Sequence, residues 1–165
     1  MKKQFLHLGI TVSLLLSLFA CASNPTLGMK AAADAFLQSL DAKQKAKAQA
    51  AFDSKDRTNW VFLPDKYVKP EKKRFGLTLK EMSEEQRNLG IALLHSALSE
   101  KGKLTVKNTR LLEAILFKLT KDPIRDKDLY YISIFGNPSD HHSWGWTFEG
   151  HHLSINVTVV NGKEL

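Results

Sequence analysis

Trp144, Trp146 and Phe148 alternate with Gly145, Thr147 and Glu149, and this period of two constrains the chain more than any other feature. Successive side chains of a strand point to opposite faces, so the three aromatics share one face of a sheet. Tyr130 to Phe135 is a second run of aromatic and β-branched residues, closed by the turn signal Gly136-Asn137-Pro138. A third run follows Gly150. Its alternation puts His151, Leu153, Ile155, Val157 and Val159 on one face, and His152, Ser154, Asn156 and Thr158 on the other. On that parity the adjacent histidines diverge, unless Gly150 starts a bulge. The stretch 130–160 therefore predicts three neighbouring strands, and it carries four of the six histidines and two of the three tryptophans.

The residues before it read as helical. Met29, Ala33, Phe36, Leu37 and Leu40 recur at helical spacing, in a pattern that runs to about Phe52. Thr78-x-x-Glu81 and Ser83-x-x-Gln86 fit capping boxes. The second opens a helix carrying Leu89, Leu93 and Ala97, with Gly102 as its expected C-cap. Another helix follows, with Val106, Leu112, Ile115, Leu116 and Leu119 on its apolar face, and Asp122-Pro123 ends it. Helices leading and strands following predict an α+β fold: a long helix plus an antiparallel helix pair, then an antiparallel β-meander. Asn161-Gly162 is a strong hairpin turn, and only Lys163-Glu164-Leu165 remains to return from it. The meander is thus expected to be incomplete at its C-terminus, with a missing C-terminal half or another chain completing the sheet.

The chain carries a net charge of +7; without Lys2 and Lys3 this falls to +5. The lysines are scattered and form no basic stripe interleaved with aromatics, so nucleic acid is not an expected partner. Lys2, Lys3 and the apolar stretch from Phe5 to Phe19 predict a signal peptide over 1–22. Leu18-Phe19-Ala20-Cys21 resembles a bacterial lipobox, while Ala20-Cys21-Ala22 fits ordinary signal-peptidase cleavage. The expectation is an exported protein, periplasmic or lipid-anchored through Cys21 in the bacterial envelope, with 23–165 as the N-terminal part of a single α+β domain. Cys21 is the only cysteine, so the remainder has neither a disulfide nor a thiolate ligand.

Chemistry concentrates on the histidines. His151 and His152, with His141, His142 and Asp140 from the preceding loop, are the candidate ligands for zinc, copper or iron. Imidazole also suits acid–base work near neutral pH. Glu149, Ser154 and Asn156 are candidate supporting groups. Trp144 and Trp146 could wall such a site, although core packing is their simpler role. Arg57 and Arg74 could supply positive charge; their simpler role is pairing with Asp53, Asp56 or Glu71. The simpler role of the histidines is structural, in a non-enzymatic binding module or a nonfunctional truncated copy. No H-E-x-x-H spacing, paired C-x-x-C, phosphate loop or G-x-S-x-G elbow is present.

A set of spaced motifs adds to this reading. They are Arg57-x-x-Trp60-x-Phe62-x-Pro64, Arg74-x-Gly76-Leu77, Leu93-Leu94-x-x-x-Leu98-Ser99-x-x-Gly102 and Tyr130-x-x-x-Ile134-Phe135-Gly136-x-Pro138. The most specific is Trp144-Gly145-Trp146-x-Phe148-Glu149-Gly150-His151-His152-Leu153-Ser154-x-Asn156. Together they resemble the bacterial proteins carrying domain of unknown function 3500, over roughly Asp34 to Val160. The resemblance implies an exported protein with a second half after the His-His strand, where this chain stops. It implies no reaction, and it adds weight to a site at Gly150-His151-His152.

Overall fold

The computed structural model describes residues 25–164. The signal-peptide and Cys21 expectations lie outside them. Helices α1 (Pro25–Ser39), α2 (Ala42–Ala48), α3 (Glu84–Ser96) and α4 (Glu100–Thr120) precede strands β3 (Tyr130–Phe135), β4 (Trp144–Gly150) and β5 (Leu153–Val160). Three two-residue strands complete the sheet: β1 (Gln49–Ala50), β2 (Leu77–Thr78) and β6 (Lys163–Glu164). The fold is α+β. The strand order is β1-β3-β4-β5-β6, and β3 through β6 form an antiparallel meander. β1 joins β3 in parallel and β2 joins it antiparallel, so the sheet as a whole is mixed.

The long helix expected from Met29 to about Phe52 is two helices. Asp41 forms a capping box with Gln44 and restarts the chain as α2, whose end passes directly into β1. Gln86 of α3 secures this joint by donating to Ser39 O and Gln44 Oε1, both at 2.8 Å. Gly102 is not a C-cap but a first-turn residue of α4, where its N–H donates to the N-cap Ser99 Oγ at 3.2 Å. Ser-x-x-Gly thus opened a helix instead of closing one.

The two faces of the sheet are covered differently. Ile132, Ile134, Trp146 and Phe148 lie on one face, opposite one another across β3 and β4, and pack with Phe36, Leu93 and Met29 of the helical layer. Trp144 and Trp146 are fully buried, so their role is core packing. The irregular segment 51–76 covers the other face. Ser133 Oγ donates to Phe75 O at 2.8 Å, and the Tyr131 hydroxyl donates to Asp65 Oδ2 at 2.5 Å. Arg74 is buried within this segment, paired with Asp65 and donating to Val61 O and Leu63 O. Asn161 and Gly162 both take positive φ, the mirror-image hairpin turn that the dipeptide predicts, and β6 returns from it.

Close packing also dictates one glycine. A Cβ at Gly150 would lie 2.3 Å from the Tyr130 ring, which is fully buried and stacked on Phe148. A rigid ring cannot yield as a flexible side chain would. Gly150→Ala should therefore destabilise the fold by about 1–3 kcal/mol in urea unfolding. Gly28→Ala, where nothing lies within 4 Å of the new methyl, should be neutral or stabilising by up to about 1 kcal/mol. Equal effects at the two positions would contradict this packing.

Candidate functional site

His151 and His152 form the two-residue turn between β4 and β5, where Gly150 pairs with Leu153. The expectation that they continue a strand and face opposite ways does not hold. His152 has φ +64°, which swings the backbone round, and the two imidazoles stack with centroids 3.7 Å apart. Two further bonds hold the turn. The Tyr130 hydroxyl donates to His151 O at 2.9 Å, and His152 N–H donates to Phe62 O at 2.8 Å. The turn is thus tied to the helical side through Tyr130 and to segment 51–76 through Phe62.

The third member of the cluster comes from α4 and was not among the residues singled out in the sequence. Glu113 is 1% exposed. Its Oε1 lies 3.0 Å from Arg125 Nη1 and 3.1 Å from His151 Nδ1. Arg125 Nη1 is also 3.3 Å from His151 Nδ1. Both contacts to the carboxylate are satisfied when Nδ1 carries the proton and donates, which leaves the second His151 nitrogen with a free lone pair. Glu113 Oε2 is buried without a hydrogen-bond partner. Leaving one lone-pair-bearing oxygen of a buried carboxylate unpaired costs about 1–3 kcal/mol. Glu113, His151 and His152 each offer a ligand atom within 4.8 Å of the others.

His152 departs from an ordinary imidazole in its electrostatics. Burial, and then the neighbouring His151, hold its pKa below the usual imidazole value. A ring that resists protonation stays available as a ligand further into acid. Burial, and then the charge of Glu113, push the Tyr130 hydroxyl well above the ordinary phenol range. It remains a neutral donor holding His151 O.

The other sequence candidates fall elsewhere. Asp140, His141 and His142 are exposed in the β3–β4 loop, where both histidine N–H groups donate to Ser139 Oγ at 3.0 Å. That loop and the His-His turn sit at opposite ends of β4, separated by about 20 Å at roughly 3.3 Å per residue. Glu149 is buried and accepts from Ser154 Oγ at 2.6 Å, while Asn156 donates to Ser154 Oγ at 3.2 Å. This chain runs along the sheet face covered by segment 51–76. Burial raises the Glu149 carboxyl above its usual range. Arg57 donates to Phe52 O at 2.7 Å and covers the Phe52 ring, and Arg74 is committed to Asp65.

A family model described as "Protein of unknown function (DUF3500)" matches residues 22–165. No curated protein and no solved structure matches the chain.

Removing one partner of a buried ion pair strands the other, at a cost of about 3–5 kcal/mol. Arg125 is a quarter exposed, which lets water replace part of its role, so Arg125→Ala should lower the unfolding free energy by about 2–3 kcal/mol. Adding Glu113→Gln should recover part of that loss, because the stranded charge is gone. Additive losses in a double-mutant cycle would show that the two residues are not coupled.

Proposed function

The chain belongs to the family described as protein of unknown function (DUF3500), and from its own geometry we propose that it is a metal-binding protein with Glu113, His151 and His152 as ligands. The observation that carries this reading is Glu113: its Oε2 is buried without a hydrogen-bond partner, and a carboxylate oxygen lies within 4.8 Å of a ring nitrogen of each histidine that the turn brings together. Two imidazoles and one carboxylate suit zinc, copper or iron, and the set leaves a coordination position for water or substrate. Donors on a tetrahedral zinc at about 2.0–2.2 Å lie roughly 3.3 Å from one another. The present spread of up to 4.8 Å therefore closes by small side-chain rotations on binding.

A second reading rests on Glu113 Oε1, which Arg125 and His151 already share. On that reading the cluster is a clamp that fastens α4 to the β4–β5 turn, and the protein is a non-enzymatic binding module with structural histidines. The guanidinium also opposes a second cation beside it, which a clamp needs and a metal site must overcome.

Titration of the metal-stripped full chain with zinc separates the two readings. It is done in a Cys21→Ser background, which removes the single thiol. Metal binding predicts one equivalent bound, a raised melting temperature, and at least about tenfold weaker binding in both Glu113→Gln and His152→Ala. Stoichiometric binding that neither substitution alters, or none at all, would leave only the clamp.

Export belongs to the same proposal. Lys2, Lys3, the apolar stretch 5–19 and Cys21 support a protein delivered to the bacterial envelope, with Cys21 as its lipid-bearing first residue. Intact-mass measurement of the protein recovered from membranes should show a chain beginning at an acylated Cys21. A chain that begins at Met1 or Ser23 contradicts the lipid anchor.

A further inference from the structure

Helix α4 turns its polar side inward and its apolar side out. Val106, Arg110 and Glu113 face the body: Val106 joins the core, Arg110 reaches Lys127 O and Asp128, and Glu113 enters the cluster above. On the opposite side Leu104, Leu111, Leu112, Ile115 and Leu119 fall within one stripe about 100° wide. They are 55%, 52%, 50%, 44% and 75% exposed. Monomeric proteins scatter such residues singly; a continuous stripe of this kind marks a surface that something covers.

The charge around the stripe says what. Lys101, Lys107 and Lys118 are exposed on α4 beside the leucines; Lys103, Arg110 and Lys127 line the groove between α3 and α4 that Leu111 also borders, where they are paired with Glu100 and Asp128. Of the two acids of α4, Glu100 is paired with Lys103 at 2.7 Å and Glu113 is buried against Arg125. The exposed side of the helix is thus apolar with a positive margin. A second copy would bring the same lysines towards one another, and five side chains fall short of the roughly 20–30 residues a side of a stable protein interface. A bilayer surface asks for less. One amphipathic helix with a Leu/Ile face and a lysine margin lies in the headgroup plane, held by apolar burial and by anionic lipid. Among the described residues no helix is long and apolar enough to cross a membrane.

We propose that the Leu104–Leu119 face of α4 docks on an anionic lipid bilayer. The apolar side chains enter the headgroup boundary and the flanking lysines meet lipid phosphates.

Hydrogen exchange of the full chain on vesicles tests this, read at peptides covering residues 104–119. The readout is local because the apolar stretch 5–19 can associate the chain with any vesicle. Exchange over 104–119 should slow by about tenfold on phosphatidylglycerol-containing vesicles, and much less on phosphatidylcholine alone. Leu111→Asp/Ile115→Asp should abolish the effect. Lys107→Glu/Lys118→Glu, which leaves the apolar stripe intact, should weaken it, as should high salt. Unchanged exchange on anionic vesicles would overturn the proposal, and so would equal protection on both lipids. Protection that appears without vesicles and rises with protein concentration would also overturn it, and would assign the face to a second copy.

Discussion

The register of β3 against β4 is the constraint from which the rest follows. It sets Ile132 against Phe148 and Ile134 against Trp146, on the face that meets the helices. It also sets Tyr130 against Gly150, where the tyrosine ring occupies the space a side chain would need. A one-residue slip would move every one of these side chains to the wrong face. With the register fixed, β4 must end at Gly150, and the two residues that follow must reverse the chain at once. The histidines are brought together by this reversal.

The strands were legible because a period of two leaves little freedom. Tyr130 to Phe135 and the Trp-x-Trp-x-Phe alternation appear as β3 and β4, and Asn161-Gly162 makes the turn its composition demands. The His-His turn was not legible for a physical reason. Histidine takes positive φ more often than most residues but far less often than glycine, so His-His signals a turn weakly where Asn-Gly signals one strongly, and Gly150 beside it is the more obvious place for a break. Strand parity holds within β4 and β5, and the two histidines lie between them. The long first helix failed in a similar way. Its Ala/Gln/Lys section has the right propensity on both sides of Asp41, but a capping aspartate outweighs propensity.

Glu113 was missed because an apolar stripe on a helix is read as the buried side. In α4 the choice goes the other way. The signal was present in the same residues: Val106, Arg110 and Glu113 recur at helical spacing, and Arg125 follows the Asp-Pro stop. A polar stripe becomes a buried one only if the charges it needs are waiting for it. That depends on where Arg125, Asp128 and His151 lie in three dimensions. Spacing identifies both faces of a helix, and tertiary partners decide which is the inside.

The cluster and the outward apolar face are therefore two consequences of one arrangement. Were α4 held by its leucines, Glu113 would face solvent, and no carboxylate would meet the His-His turn. Because it is held by Arg110 on Asp128 and by Glu113 between Arg125 and His151, its leucines are left to face outward. Polar attachment of this kind is directional, since each hydrogen bond fixes a distance and an angle where apolar contact would fix neither. It is also conditional on the charge state of its members. α4 is therefore the element through which a change in the charge state of Glu113, Arg125 or His151 would be felt at the outer face.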